Sequence, residues 1–304
     1  MSYKIITLTE YLSEYHLRNR SIRRGNSFDS MISNMEKHLK DFLGAEMLTM
    51  AVADIDTALC RRFAMHLRQA KKKNGKKLSE VSAHHYFAAF RAMLAEAVVD
   101  GLLSDNPALK LRHQELPHRP TVLKAYLDAN EVARLAQTAC RSMAVKRAFM
   151  FSCLTGLRLS DIRQLCHSNI RREGDSWRLS IVMQKTQEPI VAKLSDEAAA
   201  WMTAETDDEA TVFPLPNNAQ IGRILRDWAV EAGISKHITF HTARHSYATM
   251  LLQAGVDIYT ISKLLGHRSI TTTTLYAAII DSQRDAAIDS ITQLYRQHLT
   301  TAET

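Results

Sequence analysis

The sequence predicts a mainly α-helical protein with a small antiparallel β-sheet, divided into a helical first part and an α+β second part. Apolar residues recur at three- and four-residue steps through the first third of the chain, as in amphipathic helices. Strand-like segments are confined to 177–183 and 189–194, which flank a short turn and predict a hairpin. Helical periodicity lapses between about 111 and 125, a new helix begins at Asp128, and the chain after Ile221 is again helical.

Three helices are predicted in the first part. Residues 28–42 form one apolar stripe, and Gly44 follows it at the usual C-terminal position. Residues 55–67 repeat the pattern. Ser79 can cap a third helix that runs to Val98.

The lapse in periodicity predicts a domain boundary. We assign residues 1–112 to a helical domain, 113–126 to a linker and 127–304 to a second domain. Asp128, with Glu131 three residues later, forms a variant of the capping box and predicts the first helix of the second domain.

Composition restricts the class of protein. The 304 residues carry a net charge of +7 with a pI near 9.2, which favours polyanionic partners. No apolar stretch approaches the roughly 20 residues of a membrane span, and the first residues lack a signal core, so we expect a cytoplasmic protein without membrane contact. The scattered cysteines predict reduced, buried thiols; they are Cys60, Cys140, Cys153 and Cys166.

The first motif of the second part is Thr-Gly-Leu-Arg-Leu-Ser-Asp-Ile at 155–162. Gly156 predicts a tight turn after an apolar helix, and Ser160 can cap the next helix. This leaves Arg158 on a fixed corner and Asp161 in the first helical turn. Alternatively, both residues have only structural roles: Asp161 interacts with the helix dipole, and Arg158 is a surface cation.

The second motif lies at the start of a helix that Thr239 can cap. His241 and Arg244 share one face of its first turns, where free backbone N–H groups favour a phosphate. His241 and His245 are also spaced as metal ligands. Thr242 stands where a zincin would have glutamate, and no third ligand is suggested, so we expect no metal and no cofactor.

The third motif runs from Leu264 to Tyr276. Gly266 ends a short helix, His267 lies just past it, and Tyr276 follows nine residues later. A tyrosine on a helix is most often a half-buried core residue. Nothing in the residues themselves distinguishes Tyr276 as a nucleophile from the others nearby, which are Tyr247, Tyr259 and Tyr295.

Taken together, the three motifs supply two arginines, two histidines and a tyrosine without an acidic cluster. Guanidinium groups match phosphate oxygens bidentately and stay charged at any working pH. Fixed donors of this kind can hold the charge that builds on a five-coordinate phosphorus. The set therefore favours phosphoryl transfer without a metal cation.

These motifs, in this order, resemble those of the tyrosine recombinase (phage integrase) family. The resemblance spans about 128–280 and includes Lys185 in the hairpin turn, with Lys193 as a less favoured substitute. It implies a helical core-binding (SAM-like) domain followed by an α+β tyrosine-recombinase catalytic domain. Ala243 replaces the usual leucine, and the turn after Lys185 lacks the common glycine, which leaves its shape open.

The resemblance also implies a reaction. Tyr276 attacks the scissile phosphate to give a 3′-phosphotyrosyl enzyme and a free 5′-hydroxyl, without ATP. Lys185 is implied as the general acid. The other implied roles are a phosphate clamp for Arg158 and Arg244, acid–base or phosphate contact for His241, and a hydrogen bond from His267. Asp161 is implied to orient Arg158 or a neighbouring residue.

Partners follow from the same resemblance. It implies double-stranded DNA, a homotetramer linked through a C-terminal helix at about 282–298, and an accessory directionality factor in some systems. That helix could instead pack on its own domain. A basic loop at 71–77 carries Lys71, Lys72, Lys73, Lys76 and Lys77. This loop is either simply solvated or in contact with the DNA backbone. The same two alternatives apply to the arginines at 18, 20, 23 and 24.

Two alternative functions stay open at this point. A type IB topoisomerase shares the chemistry but relaxes supercoils as a monomer. A DNA-binding protein that has lost catalysis is the other alternative, although the full set of candidate residues argues against such decay.

Overall fold

The structure is a computed structural model that describes residues 6–22, 26–72, 74–118, 125–203 and 207–267. The chain divides into two compact units, Met1–Val122 and Leu123–Thr304. Each unit has its own apolar core. The predicted class, mainly α with a small antiparallel sheet, is confirmed.

The first unit is helical. Its helices are α1 (Leu8–Ile22), α2 (Asn26–Leu43), α3 (Thr57–Gln69) and α4 (Glu80–Val99). The three helices predicted from periodicity correspond to α2, α3 and α4. Ser79 caps α4 as expected, because its Oγ accepts a hydrogen bond from the N–H of Ser82 at 3.2 Å.

Helix α1 was not among the sequence predictions. Its N-terminal half is buried through residues at three- and four-residue spacing, Leu8, Tyr11, Leu12 and Tyr15. Its C-terminal half is held by charge instead: Arg18 donates to both carboxylate oxygens of Asp100, at 3.0 and 2.7 Å. The short apolar stripe, followed by polar residues, explains why periodicity alone did not find this helix.

The basic loop folds as a tight turn between α3 and α4. Lys72 donates its N–H to the carbonyl of Lys76 at 2.7 Å, and Lys71 pairs with Lys77 in an antiparallel bridge. Gly75 makes the reversal possible with φ of +77°. The side chains of the four described lysines are exposed, and Lys73 lies outside the described residues.

The second unit combines helices with the sheet. Its helices are α5 (Ala129–Gln137), α6 (Met143–Thr155), α7 (Leu159–Arg163), α8 (Asp196–Ala199), α9 (Asn218–Glu231), α10 (Phe240–Gln253) and α11 (Ile258–Leu264). The capping box predicted at α5 is present: Asp128 accepts from the N–H of Glu131 at 2.8 Å, and Glu131 accepts from the N–H of Asp128 at 2.9 Å.

The sheet has three antiparallel strands in the order β1 (Ile170–Glu173), β2 (Ser176–Val182) and β3 (Pro189–Leu194). The predicted hairpin is therefore confirmed as β2 and β3. Strand β1 was not predicted, because Ile170 is its one buried residue and the other three are exposed. One face of the sheet packs into the core through residues such as Leu179 and Ile190.

The segment assigned to a linker contacts both units at its ends. Glu115 pairs with Arg61 at 2.5 Å within the first unit. The carbonyl of Tyr126 accepts from the ammonium of Lys236 at 3.0 Å within the second. Residues 119–124 lie outside the described part of the chain, and the limits of the linker stay a prediction.

Two further expectations concern composition. Cys60 and Cys153 are buried, whereas Cys140 and Cys166 are half-buried, and all four are free thiols. Burial raises the pKa of the Cys60 thiol to about 12, which keeps it protonated. Within the described ranges, the structure has no helix with the length and apolar character to cross a membrane.

Candidate active site

Arg158 lies at the corner between α6 and α7. Gly156 ends α6 in the left-handed conformation, with φ of +71°, and Arg158 then takes the N-cap position of α7. Its side chain is half-buried, and burial lowers the pKa of its guanidinium while the Asp161 carboxylate opposes this effect. Nη1 of Arg158 is buried and donates no hydrogen bond to any part of the chain that the structure describes.

Asp161, not Ser160, satisfies the start of α7. The carboxylate of Asp161 accepts from the backbone N–H of Arg158 at 3.2 Å, so the predicted cap at Ser160 is wrong. Its other oxygen accepts from the N–H of Gln184 at 2.9 Å. Asp161 is only 4% exposed. One buried carboxylate therefore joins the Arg158 corner to the hairpin turn.

That turn carries Lys185. Residues 184–186 form it, and the N–H of Gln187 closes it by donating to the carbonyl of Met183 at 2.7 Å. Lys185 is exposed. Lys193, the less favoured candidate, is exposed on β3 opposite Arg178 and several residues from the turn.

Arg244 lies in the buried part of α10, which Thr239 caps as predicted. The guanidinium is 5% exposed and donates to two carbonyls: that of Gly156 at 2.7 Å and that of Leu265. Both contacts are distant in sequence. Arg244 thereby joins the loop before Arg158 to the loop before His267.

His267 follows Gly266 at the end of α11. Its N–H donates to the carbonyl of Ser262 at 3.0 Å, and its side chain is half-buried. Gly266 has φ of +59° and lies against the hairpin: a Cβ built there would be 2.9 Å from Cδ1 of Ile190 and 3.3 Å from Cε of Met183. Close packing thus brings the His267 loop against the hairpin whose turn carries Lys185.

His241 is exposed on the first turn of α10. It lines a mostly apolar cavity of about 220 Å³ together with Leu159, the neighbour of Arg158, and with residues of α9. Among the described residues, no group of three histidine, cysteine or acidic side chains could hold a metal ion.

Tyr276 and the helix at 282–298 lie outside the described residues. Of the other tyrosines considered, Tyr247 is half-buried, and burial raises the pKa of its hydroxyl. Its ring lies against Gly156, so it is packed into the Arg158 corner. Tyr259 is 60% exposed on α11.

Three links therefore converge on one region of the second unit. They are the Asp161 carboxylate between Arg158 and Gln184, the Arg244 guanidinium between Gly156 and Leu265, and the contact of Gly266 with the hairpin. The sequence motifs gave roles to the charged residues but none to Gln184, Met183 or Leu265. These act through backbone groups or packing, which leave no signal in residue type.

Family models match both units of the chain. The model described as the phage integrase family matches residues 125–283, and that of the phage integrase SAM-like domain matches residues 7–113. The chain belongs to the phage integrase family. It is a site-specific tyrosine recombinase, and neither the topoisomerase nor the catalytically silent alternative is favoured.

The chain is similar to tyrosine recombinases over most of its own length and most of theirs. Tyrosine recombinase XerD of Oceanobacillus iheyensis is 27% identical over 289 residues, which cover 90% of this chain and 95% of that protein. XerD of Listeria innocua is 28% identical, with 82% and 87% coverage. XerC of Pelobacter propionicus is 28% identical, with 78% and 80% coverage.

Solved structures share the fold. A lambda integrase dimer bound to a COC′ core site matches with a TM-score of 0.68 and 22% identity, covering 89% of this chain and 95% of that one. XerH recombinase bound to its difH substrate matches with a TM-score of 0.62 and 16% identity, covering 90% and 94%. At these identities the likeness concerns architecture alone.

Two of the four arginines near the start of the chain, Arg18 and Arg20, have partners within the first unit. Arg18 pairs with Asp100, and Arg20 lies 3.3 Å from the carboxylate of Asp29. Arg23 and Arg24 lie outside the described residues. Arg18 therefore anchors α1, and contact of these arginines with phosphate stays a prediction.

Proposed function

We propose that this recombinase cleaves and rejoins double-stranded DNA through a covalent bond between Tyr276 and a DNA 3′-phosphate. One observation carries the proposal. Arg158 keeps a buried guanidinium nitrogen with no acceptor among the described residues, on the corner that Arg244 ties to the His267 loop. A buried donor without an acceptor costs free energy, and a phosphate oxygen would satisfy it.

The reaction is a transesterification at phosphorus. The hydroxyl oxygen of Tyr276 bonds to phosphorus, the bond from phosphorus to the 5′-oxygen breaks, and Lys185 gives that oxygen a proton. Arg158 and Arg244 neutralise the charge on the non-bridging oxygens. The phosphodiester energy is kept in the phosphotyrosine, so rejoining needs no ATP and no other cofactor.

The histidines and Asp161 support this chemistry. His241 is the proposed acceptor of the proton that Tyr276 loses. An acceptor is needed because a free tyrosine, with a pKa of about 10, is almost entirely neutral at pH 7. His267 donates a hydrogen bond to the phosphate. Asp161 holds both the backbone of Arg158 and the turn before Lys185, which is a positioning role consistent with its two hydrogen bonds.

The proposed partners are duplex DNA and three further copies of the chain. A lambda integrase tetramer bound to a Holliday junction shares the fold with a TM-score of 0.66, which supports a similar assembly here. The helix at 282–298 would link neighbouring subunits, and a directionality factor would bias the reaction. The exposed lysines Lys71, Lys72, Lys76 and Lys77 would contact the DNA backbone, with Lys73 in the same loop. The site of action would be the cytoplasm.

Replacement of Tyr276 by phenylalanine tests the proposal. A nicked duplex in which the short segment that bears the released 5′-hydroxyl diffuses away after cleavage traps the covalent intermediate. Tyr276→Phe should form no adduct on this substrate because the attacking oxygen is gone. Binding to the same duplex, measured by gel shift, should stay within about twofold of wild type because the phosphate contacts remain.

The matched control is Tyr259→Phe, which removes a hydroxyl from an exposed tyrosine on α11. This variant should form the adduct at the wild-type rate. An adduct at normal yield from Tyr276→Phe, or its loss in Tyr259→Phe, would contradict the assignment of the nucleophile.

A further inference from the structure

The turn that carries Lys185 has an unusual backbone. Gln187 has φ of +56° and, among the residues that the structure describes, no other non-glycine residue has positive φ. Side chains with a Cβ rarely adopt this left-handed conformation, which glycine adopts freely. The sequence left the shape of this turn open because it lacks a glycine; the structure shows that Gln187 takes the glycine-like conformation.

The side chain of Gln187 offsets the strained backbone. Its Nε2 donates to the carbonyl of Gln184 at 2.9 Å, across the turn. The N–H of Gln187 donates to Met183 at 2.7 Å, and the N–H of Met183 donates to Glu188 at 2.9 Å. Glycine could keep the two backbone bonds but not the side-chain bond.

Gln184, the residue before Lys185, consequently makes three hydrogen bonds. Its N–H donates to Asp161, its carbonyl accepts from Gln187, and its side-chain amide donates to the side chain of Gln164 just after α7. Its two peptide groups therefore have fixed orientations. The second of these peptides leads directly into Lys185.

We propose that Gln187 is a positioning residue for Lys185: it locks the hairpin turn so that the lysine reaches the 5′-oxygen without first ordering a flexible loop. The inference rests on the proposed role of Lys185 as general acid. Gln187 itself touches no reacting atom. Its contribution lies in pre-organisation, since misplacement of a catalytic group by about 1 Å can slow a reaction by as much as 100-fold.

Gln187→Gly provides the test, because it relieves the backbone and removes only the side-chain bond. Cleavage of an ordinary suicide substrate should slow by about 10-fold or more, between the wild-type and Lys185→Ala rates. A second substrate carries sulfur in place of the bridging 5′-oxygen. A thiolate leaves without a proton, so both Gln187→Gly and Lys185→Ala should recover to near the wild-type rate on it.

Two further variants keep the test decisive. Gln187→Glu retains the side-chain length but loses the donor, so it should behave like Gln187→Gly if the glycine variant folds poorly. Lys193→Ala, on an exposed position of the same hairpin, should match wild type on both substrates. Melting followed by circular dichroism verifies that each variant is folded.

The outcomes separate the two claims. If Gln187→Gly and Gln187→Glu cleave the oxygen substrate at the wild-type rate, or are equally slow on both substrates, the positioning role is overturned while the role of Lys185 stands. If Lys185→Ala is not recovered by sulfur, its role as general acid fails, and the inference about Gln187 fails with it.

Discussion

Gly156 lies between Arg244 and Tyr247 at the end of α6. Its carbonyl accepts from Arg244, and its φ of +71° suits glycine. A Cβ at this position would be 2.5 Å from Cδ1 of Tyr247 and 2.8 Å from Cδ2 of Leu265. The position is therefore restricted both by backbone conformation and by space.

Gly156→Ala should destabilise the second unit by about 2–5 kcal/mol, because left-handed backbone costs roughly 1–2 kcal/mol and overpacking typically about 1–3 kcal/mol. Cleavage should fall as well, since the carbonyl that Arg244 binds must move. Denaturant unfolding followed by tryptophan fluorescence measures the loss, because all three tryptophans, at 177, 201 and 228, lie in this unit.

Gly222→Ala is the matched control. Gly222 lies within α9, has no atom near a built Cβ, and is not in the left-handed region. Alanine there should leave stability unchanged or raise it by up to about 1 kcal/mol. Equal effects of the two substitutions would show that the close packing at Gly156 is not what restricts it.

Single-residue signals in the sequence were reliable where they are local. The caps at Ser79, Asp128 and Thr239 were predicted because each side chain bonds a backbone N–H three residues on. Ser160 was misassigned because a better acceptor, the carboxylate of Asp161, reaches back to Arg158.

At the scale of helices, α2, α3 and α4 enclose an aromatic and histidine cluster. The rings of His38 and His66 are 6.0 Å apart, and the ring of Tyr86 is 5.4 Å from that of His38. Nδ1 of His38 and Nε2 of His66 are buried without a hydrogen bond to the described residues. A proton on either of these nitrogens would therefore be buried without a hydrogen-bond acceptor to stabilise its charge.

Burial lowers the pKa of both histidines below the ordinary 6.5. For His38, the nearby His66 and Lys37 act in the same direction while Asp41 opposes them; for His66, Asp41 alone opposes. The unfolded chain therefore binds these protons more readily than the folded chain. Stability from this pair is fully present above pH 6.5 and is lost as pH falls from 6.5 towards the lowered values.

Hydrogen exchange on the full-length protein tests this expectation between pH 7.5 and 5.5, corrected for intrinsic exchange rates. Protection of α2, α3 and α4 should decrease below pH 6.5. In His38→Gln the decrease should be smaller, whereas in His113→Gln, at an exposed position, it should be unchanged. Protection that is independent of pH in wild type would contradict the lowered pKa values.

Helices and strands could be predicted from the sequence when their apolar residues formed a long, regular pattern. Helices with long stripes, such as α2, were found from spacing alone. Helix α1 was missed because Arg18 and Asp100 anchor its second half, and strand β1 was missed because it buries a single residue. Both depend on contacts with distant parts of the chain, which local periodicity does not encode.

At the scale of the whole molecule, family membership and fold class follow from motifs in the right order. The motifs did not show how the second unit joins them. Arg244 contacts Gly156, 88 residues away, and Asp161 contacts Gln184, 23 residues away. Such links are set by tertiary packing and become visible only when the chain is folded.

The central claim is that the phenolic oxygen of Tyr276 becomes covalently attached to DNA. Mass spectrometry of the trapped wild-type adduct, after digestion with protease and nuclease, measures this directly. The account predicts a nucleotide remnant joined through its 3′-phosphate to the peptide that contains Tyr276. A remnant on any other tyrosine, such as Tyr247 or Tyr259, or attachment through a 5′-phosphate, would contradict it.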